Sequence, residues 1–250
     1  MFADIAETLG HAEEAHEARR DRARAAAAFA GRYLGEGGLT VPSQAAHFFA
    51  LGFDLLPPGS RPAVFGGLIR LLAERDFHLS TGFLGTPLLC PVLERFGRMD
   101  LAVDLLLTET YPGWLYPVTL GATTMWKRWN SWHPERGFVD LTMNSLNHYA
   151  YGAVGDWIYR SVGGLDFAYG HDGPRLRVRP WPDARIGRAA TTLKTPVGRA
   201  EVCWEASGGA ATGRCVVPAG VAATLELRGE DPRPLDAGEH RFEVGPHGRP

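Results

Sequence analysis

The sequence predicts an α+β protein with two domains, a helical domain over residues 1–164 and a small antiparallel β-sandwich over residues 165–250. In the first part, apolar residues recur at helical spacing in successive segments joined by short loops, which is the pattern of packed helical hairpins. From about residue 165, short runs rich in Val, Leu and Thr alternate with turn residues roughly every 8–12 positions, which is typical of antiparallel strands.

Six helices are predicted in the helical domain. They cover residues 2–33, 43–56, 62–76, 86–97, 99–110 and 144–164. The segment GEGG at 35–38 ends the first helix, Ser43 is placed to cap the second, and Gly163–Gly164 ends the last. Because each helix is too apolar to be stable alone, we expect the helices to pack against one another.

The predicted strands lie in four stretches of alternating or β-branched residues. They are PRLRVRPWP (174–182), RAATTLKTPVGRAEVCWEAS (188–207), GRCVVPAGVAATLELRG (213–229) and GEHRFEVGP (238–246). Turn residues separate them, as expected for a small sandwich.

Charge and hydropathy exclude several classes of partner. The formal net charge is −2 at pH 7, so the chain has no basic field that would attract nucleic acid or an anionic membrane surface. No apolar run reaches the roughly 20 residues required to span a bilayer. The first residues carry charges where a signal peptide has its apolar run. We therefore expect a cytoplasmic protein with no nucleic-acid or membrane partner.

The sequence predicts no metal site and no cofactor. Cys90, Cys203 and Cys215 are odd in number and lack metal-ligand spacing, so we expect free thiols. His11 and His16 lie five positions apart, about 140° around a helix, whereas an H-E-x-x-H zinc site needs a spacing of four. No Walker, G-x-G-x-x-G or G-x-S-x-G motif occurs in a suitable context.

The stretch GATTMWKRWNSWHP (121–134) gathers three tryptophans at three-residue spacing. Aromatic rings can bury the C–H face of a sugar while neighbouring polar groups bind its hydroxyls. The flat surface would come from Trp114, Tyr116, Trp126, Trp129 and Trp132, and the polar groups from Asn130, Asn144, Asn147 and His148. The alternative is that these tryptophans form core, because tryptophan is usually mostly buried, and that His148 is a core histidine of an apolar helix.

Four segments carry a resemblance to a known family. They are HLSTGFLGTPLL (78–89), YPGWLYPVTLGATTMWKRW (111–129), MNSLNHYAYGAVGDWIYRSVGGL (143–165), and RLRVRPWP (175–182) leading to TPVGRAEVCW (195–204). In this order and spacing, over roughly residues 30–245, they resemble the bacterial α-L-rhamnosidases of glycoside hydrolase family 78.

The resemblance implies a fold and partners. The catalytic domain of that family is an (α/α)6 barrel followed by a C-terminal β-sandwich, so residues 1–164 are expected to form about half of the barrel. The family's earlier helices, which hold the general acid, have no counterpart in this chain. The expected partners are a rhamnose-containing glycoside and either a second chain that supplies the missing half-barrel or another copy of this chain.

The resemblance also implies a chemistry. The family is expected to release terminal α-L-rhamnose with inversion, using one carboxylic acid on the leaving oxygen and one carboxylate to activate water. The base lies in a motif resembling ATT-x-W-E-x-W, which here reads ATTMWKRW, so Lys127 occupies the base position. A protonated lysine cannot accept a proton from water, so we expect the substitution to be inactivating. Three nearby carboxylates are alternative bases: Glu109, Glu135 and Asp140.

Trp114, Trp129 and His148 match family positions near the sugar and are the predicted substrate-binding residues. The predicted function is that of an α-L-rhamnosidase-family glycosidase in truncated form. Two alternatives stay open, a non-catalytic carbohydrate-binding or structural remnant and one half of a split enzyme.

Overall fold

The structure is a computed structural model that describes residues 1–170, 173–207 and 209–245. Contacts between residues divide the chain into two units, Met1–Val154 and Gly155–Pro250. Residues 171–172, 208 and 246–250 of the predicted β-sandwich lie outside the described residues. The domain division at residue 164 stays a prediction.

The first unit is mainly helical. Its helices are α1 Phe2–Thr8, α2 Ala12–Tyr33, α3 Gln44–Gly52, α4 Arg61–Ala73, α5 Thr86–Arg95, α6 Met99–Leu106 and α7 Leu115–Thr119. Four short strands form two hairpins, β1 Leu34–Gly35 with β2 Gly38–Leu39 and β3 Trp132–His133 with β4 Gly137–Phe138. A 3-10 turn, Tyr149–Ala153, ends the first unit; α8 Val154–Trp157 begins at its last residue, and a π-helical turn, Ile158–Val162, belongs to the second unit.

Helices α3 to α6 form the core of this unit. Helix α3 packs against α4 and α5, and α5 packs against α6. The buried residues Phe48, Leu68 and Leu93 supply their facing surfaces, and each has no exposed area. The Oγ of Ser43 accepts a hydrogen bond from the backbone N–H of Ala46 at 3.2 Å, so the predicted cap of α3 is confirmed.

The buried side chain of Gln44 holds the irregular segment that connects α4 to α5. Its Oε1 accepts a hydrogen bond from the backbone N–H of Ser80 at 2.8 Å. Its Nε2 donates to the carbonyls of His78 at 3.0 Å and Leu71 at 3.3 Å. One side chain thereby satisfies backbone groups that have no partner in a helix or sheet.

The predicted helices over residues 43–56 and 99–110 end four residues early, at Gly52 and Leu106, and the first and the last predicted helix differ more from the structure. The first is broken between Thr8 and Ala12, because Gly10 adopts a left-handed backbone with a φ of 83°. The last was wrong over residues 144–148, where the backbone of His148 is extended with a φ of −140°. Polar groups of this segment bond to residues 124–131 instead of forming a helical ladder.

The second unit contains two four-stranded sheets. The strands are β5 Leu165–Gly170, β6 Gly173–Val178, β7 Arg188–Thr195, β8 Gly198–Ser207, β9 Ala210–Val217, β10 Ala222–Leu225, β11 Arg233–Leu235 and β12 Gly238–Val244. Their orders are β11-β10-β6-β5 and β12-β9-β8-β7. The pair β6–β10 is parallel and so differs from the antiparallel prediction, because the chain forms β7 to β9 before it returns to the first sheet.

The core of the second unit includes Val178, Val202 and Trp204, which are almost fully buried. The Nε1–H of Trp204 donates to the carbonyl of Val162 at 2.7 Å. The predicted stop at Gly163–Gly164 is confirmed. The φ of Gly164 is 81°, and a Cβ on Gly163 would lie 2.0 Å from the hydroxyl of Thr191.

All three cysteines are free thiols, as predicted. Within the described ranges, no helix combines the length and the apolar character that a bilayer crossing requires.

Candidate functional site

Three rings form what we call the aromatic cluster: Trp114, Trp129 and Tyr151. The ring of Trp129 stacks on that of Tyr151 at 3.9 Å between centroids, and Trp114 meets Trp129 edge-on at 5.6 Å. The Nε1–H of Trp114 donates to the carbonyl of Tyr151 at 3.0 Å. Trp114 is 5% exposed and Trp129 6% exposed. Burial raises the pKa of the Tyr151 phenol. This cluster therefore behaves as core and fixes the turn that begins at Tyr149.

His148 lies at the edge of the aromatic cluster. Its ring stacks on Phe83 at 4.8 Å, and Phe83 in turn meets Tyr151 edge-on at 5.2 Å. Its Nδ1 accepts a hydrogen bond from the backbone N–H of Ala150 at 3.4 Å. In the neutral ring the hydrogen is then on Nε2, so His148 can donate a hydrogen bond from a half-buried position.

Residues 124–127 and 145–148 run side by side, and we call them the paired segments. The backbone N–H of Lys127 donates to the carbonyl of Ser145 at 2.9 Å, and that of His148 donates to the carbonyl of Met125 at 2.7 Å. The hydroxyl of Thr124 donates to the carbonyl of Leu146. These three bonds bring Lys127 and His148, which lie 21 positions apart in the sequence, onto adjoining segments.

The Lys127 side chain is half-buried. In the sequence it lies between Trp126 and Trp129, both of which are buried. Within the described part of the chain, its ammonium makes no hydrogen bond and no ion pair. Adjoining segments thus carry an ammonium without a partner and a histidine that can donate a hydrogen bond, and these groups suit an electron-rich ligand such as a sugar hydroxyl or an anion.

The alternative carboxylates are placed differently. Asp140 accepts hydrogen bonds from the backbone N–H groups of Thr142 at 2.9 Å and Met143 at 3.0 Å, and it pairs with Arg128 at 3.2 Å. The two backbone bonds, more than the arginine, hold the pKa of Asp140 below its usual value. Asp140 is therefore engaged in its own loop and is a weak base.

Glu109 and Glu135 are exposed. Among the described residues, neither carboxylate makes a hydrogen bond or an ion pair. Their role as a replacement base stays a prediction.

Of the predicted polar groups, Asn144 holds a loop. Its Nδ2 donates to the carbonyl of Ser131 at 2.9 Å. The Oγ of Ser145 donates in a similar way to the carbonyl of Asn147 at 3.1 Å. These contacts stabilise the turn that precedes His148.

No helix was predicted over the Trp-rich stretch, and residues 120–131 form turns and irregular backbone before Trp132 begins β3. Phe83 and Tyr151 were missed as components of the site. The signal for Phe83 was its place in the segment HLSTGFLGTPLL, but its contact with His148 joins residues 65 positions apart.

Comparison with known proteins identifies the two parts of the chain. The model of the bacterial alpha-L-rhamnosidase 6 hairpin glycosidase domain matches residues 1–162. The model of the bacterial alpha-L-rhamnosidase C-terminal domain matches residues 174–241. The first unit is thus part of a helical-hairpin glycosidase domain, and its fold class agrees with the prediction of a partial barrel followed by a domain of sheets.

Individual relatives agree with this. An α-L-rhamnosidase of Formosa agariphila is 37% identical over 248 residues, which are 98% of this chain and 27% of that protein. The structure of the Streptomyces avermitilis α-L-rhamnosidase complexed with L-rhamnose matches with a TM-score of 0.86 and 34% identity, over 97% of this chain and 25% of that one. The Aspergillus terreus α-L-rhamnosidase matches with a TM-score of 0.88 and 30% identity, over 97% and 28%.

Because the glycosidase-domain model matches more than half of its residues, this chain belongs to the bacterial α-L-rhamnosidase family. The chain spans about a quarter of the length of these relatives, with 27%, 25% and 28% covered.

Proposed function

We propose that the paired segments form one side of a site for terminal α-L-rhamnose, in a glycosidase of family 78 that releases this sugar from glycosides with inversion. The observation that carries the proposal is the hydrogen bonding that holds Lys127 beside the segment of His148, inside the region matched by the glycosidase-domain model. The Streptomyces relative was solved with L-rhamnose, which supports the choice of sugar.

His148 binds the sugar in this proposal. Its Nε2–H donates to a hydroxyl of the sugar ring, and Phe83 holds the imidazole in place by stacking on it. Trp114 and Trp129 border the site and contribute by fixing Tyr151, because each is nearly fully buried. A rigid support of this kind keeps a hydrogen-bonding group in its binding position.

Lys127 limits the rate of hydrolysis expected of this chain. Inverting hydrolysis needs two carboxyl groups, and an ammonium stands where the family base is expected. General base catalysis is worth roughly 10²–10⁴ in rate, so the chain alone is expected to be a poor hydrolase. In this proposal the general acid comes from helices that complete the barrel, as one half of a split enzyme.

Two exposed apolar side chains, each next in the sequence to a residue of the proposed site, support a partner. Leu84 is 79% exposed and Tyr149 is 86% exposed, and they adjoin Phe83 and His148 in the sequence. Apolar side chains in such a position favour an interaction surface. We propose that it is covered by a second chain or by another copy of this chain. A cytoplasmic location is part of the proposal and is supported by the three free thiols.

The second candidate function is a non-catalytic carbohydrate-binding or structural remnant. Lys127 favours it, because a lysine at the base position removes the reaction without removing the hydrogen-bond donors that bind a sugar. Sugar binding without turnover would favour this candidate over an active enzyme.

The test combines turnover and binding. Release of p-nitrophenol from p-nitrophenyl α-L-rhamnoside measures hydrolysis by the purified chain, and calorimetry with L-rhamnose measures binding. We expect turnover near background, measurable binding, and a loss of roughly tenfold or more in affinity on His148→Ala. The control His16→Ala removes an exposed histidine of α2 and should leave the affinity unchanged. Equal affinities of wild type and His148→Ala would overturn the proposed site.

A further inference from the structure

A second pocket in the first unit is not used by the proposed rhamnose site. Its volume is about 440 Å³, within the range of small-molecule sites. It lies at the hairpin of β3 and β4 and includes neither Lys127 nor His148 among its lining residues. We call it the hairpin pocket.

Aromatic rings form the walls of the hairpin pocket. Tyr111 and Tyr116 meet edge-on at 5.5 Å between centroids on one side. Trp132 and Phe138 face each other in register across β3 and β4 on the other side. Trp132 is supported from behind by the buried Trp126, at 6.4 Å between centroids. Tyr111 is 51% exposed and Phe138 is 49% exposed, so their flat faces are available to a ligand.

The polar side chains that line the hairpin pocket can all donate a hydrogen bond. His133 accepts a hydrogen bond at Nδ1 from the backbone N–H of Glu135 at 3.2 Å, so the hydrogen of the neutral ring is on Nε2. Asn130 contributes an amide, and the two tyrosines contribute hydroxyls. Two hydroxyls and an amide beside flat rings suit a pyranose, which has an apolar ring face and a polar rim.

The charge of the lining is positive. Arg136 is exposed and is the sole charged residue that lines the pocket, and the lining includes no carboxylate. Among the described residues, the Arg136 guanidinium has no ion-pair partner. A guanidinium presents paired N–H groups that match the two oxygens of a carboxylate.

We propose that the hairpin pocket binds a sugar ring that carries a carboxylate, a hexuronic acid residue of a glycan. The aromatic walls hold the ring, and Arg136 and the Nε2–H of His133 bind the carboxylate. The proposal does not rest on the rhamnose site, because the two sites share no lining residue. Loss of uronate binding in an Arg136 variant and loss of rhamnose binding in a His148 variant can therefore be measured independently.

NMR titration of the full chain tests the proposal. The probes are sodium D-galacturonate and sodium D-glucuronate, with D-galactose and methyl D-galacturonate as uncharged counterparts. We expect amide shifts at residues of β3 and β4, and an affinity for the galacturonate roughly tenfold higher than for its methyl ester. Equal affinities for the acid and its ester would overturn the proposal.

Two arginine variants give the matched comparison. Arg136→Gln should remove the preference for the acid over the ester, whereas Arg75→Gln, at an exposed arginine outside the pocket, should retain it. A preference that survives Arg136→Gln would contradict the assignment of the carboxylate partner. Sodium benzoate distinguishes a sugar acid from an aromatic acid, and a higher affinity for benzoate than for both uronates would overturn the sugar assignment.

Discussion

The aromatic cluster and the paired segments lie within the same part of the helical unit but use their side chains differently. In the aromatic cluster, Trp114 and Trp129 are buried, and the indole N–H of Trp114 has a carbonyl partner. In the paired segments, the backbone groups are bonded, while the ammonium of Lys127 and the Nε2 of His148 point to no partner among the described residues. The aromatic rings here supply rigidity, and in the proposed function the polar atoms of Lys127 and His148 contact the sugar.

The largest expected effect comes from Lys127. In a chimera that joins this chain to the N-terminal half of an active relative, Lys127→Glu should raise hydrolysis of p-nitrophenyl α-L-rhamnoside by roughly 10²–10⁴, because a carboxylate can activate water. Lys127→Gln removes the positive charge without adding a base and should stay inactive. An inactive Lys127→Glu chimera with the circular dichroism of a folded protein would show that Lys127 does not occupy the base position.

Substitution of Trp129 tests the structural role of the aromatic cluster. Trp129→Ala should lower the free energy of unfolding of the chain by about 3–5 kcal/mol, because it removes a buried ring that stacks on Tyr151. Tyr149→Ala is the matched control, since Tyr149 is 86% exposed, and its effect should stay within about 0.5 kcal/mol. Urea denaturation measures both. Similar values for the two variants would mean that the aromatic cluster is not core.

The smallest effect concerns Asp140. Hydrogen bonds from Thr142 and Met143 lower the pKa of Asp140 below its ordinary value of 3.8. A carboxyl with a lowered pKa in the folded state stabilises the fold above that ordinary value, and the contribution is lost as the pH falls through the lowered pKa. Asp140→Asn should therefore reduce the loss of stability between about pH 4 and pH 2.

Thermal unfolding over this pH range measures the difference between Asp140→Asn and wild type. Asp21→Asn, at an exposed carboxylate of α2, is the control and should follow the wild type. Identical pH profiles for Asp140→Asn and wild type would contradict the role assigned to the loop bonds.

The core helices were predictable because their signals are local. Ser43 caps α3 as its residue type and position indicated, and the predicted helices that became α3 to α6 have apolar stripes that pack together. The glycines at 163 and 164 also ended the helical region as predicted. These elements follow from residues a few positions apart.

The candidate site was less predictable because its contacts are distant in sequence. Residues 144–148 have no proline, and the apolar residues that follow favoured a helix, but the carbonyl of Ser145 accepts from Lys127 and the N–H of His148 donates to Met125. The stacking of Phe83 on His148 depends on how α5 is reached from α4. Only the family resemblance predicted that Lys127 and His148 lie in the same site.

The Gln44 side chain has a consequence for redesign of this fold. One amide on α3 fixes three points along residues 71–80, immediately upstream of Phe83. Insertions or deletions between residue 71 and residue 80 would shift the register between these anchors and Phe83, the ring that stacks on His148. Loop grafts intended to alter sugar preference should therefore exchange Gln44 and the whole of residues 71–83 together, as one cassette.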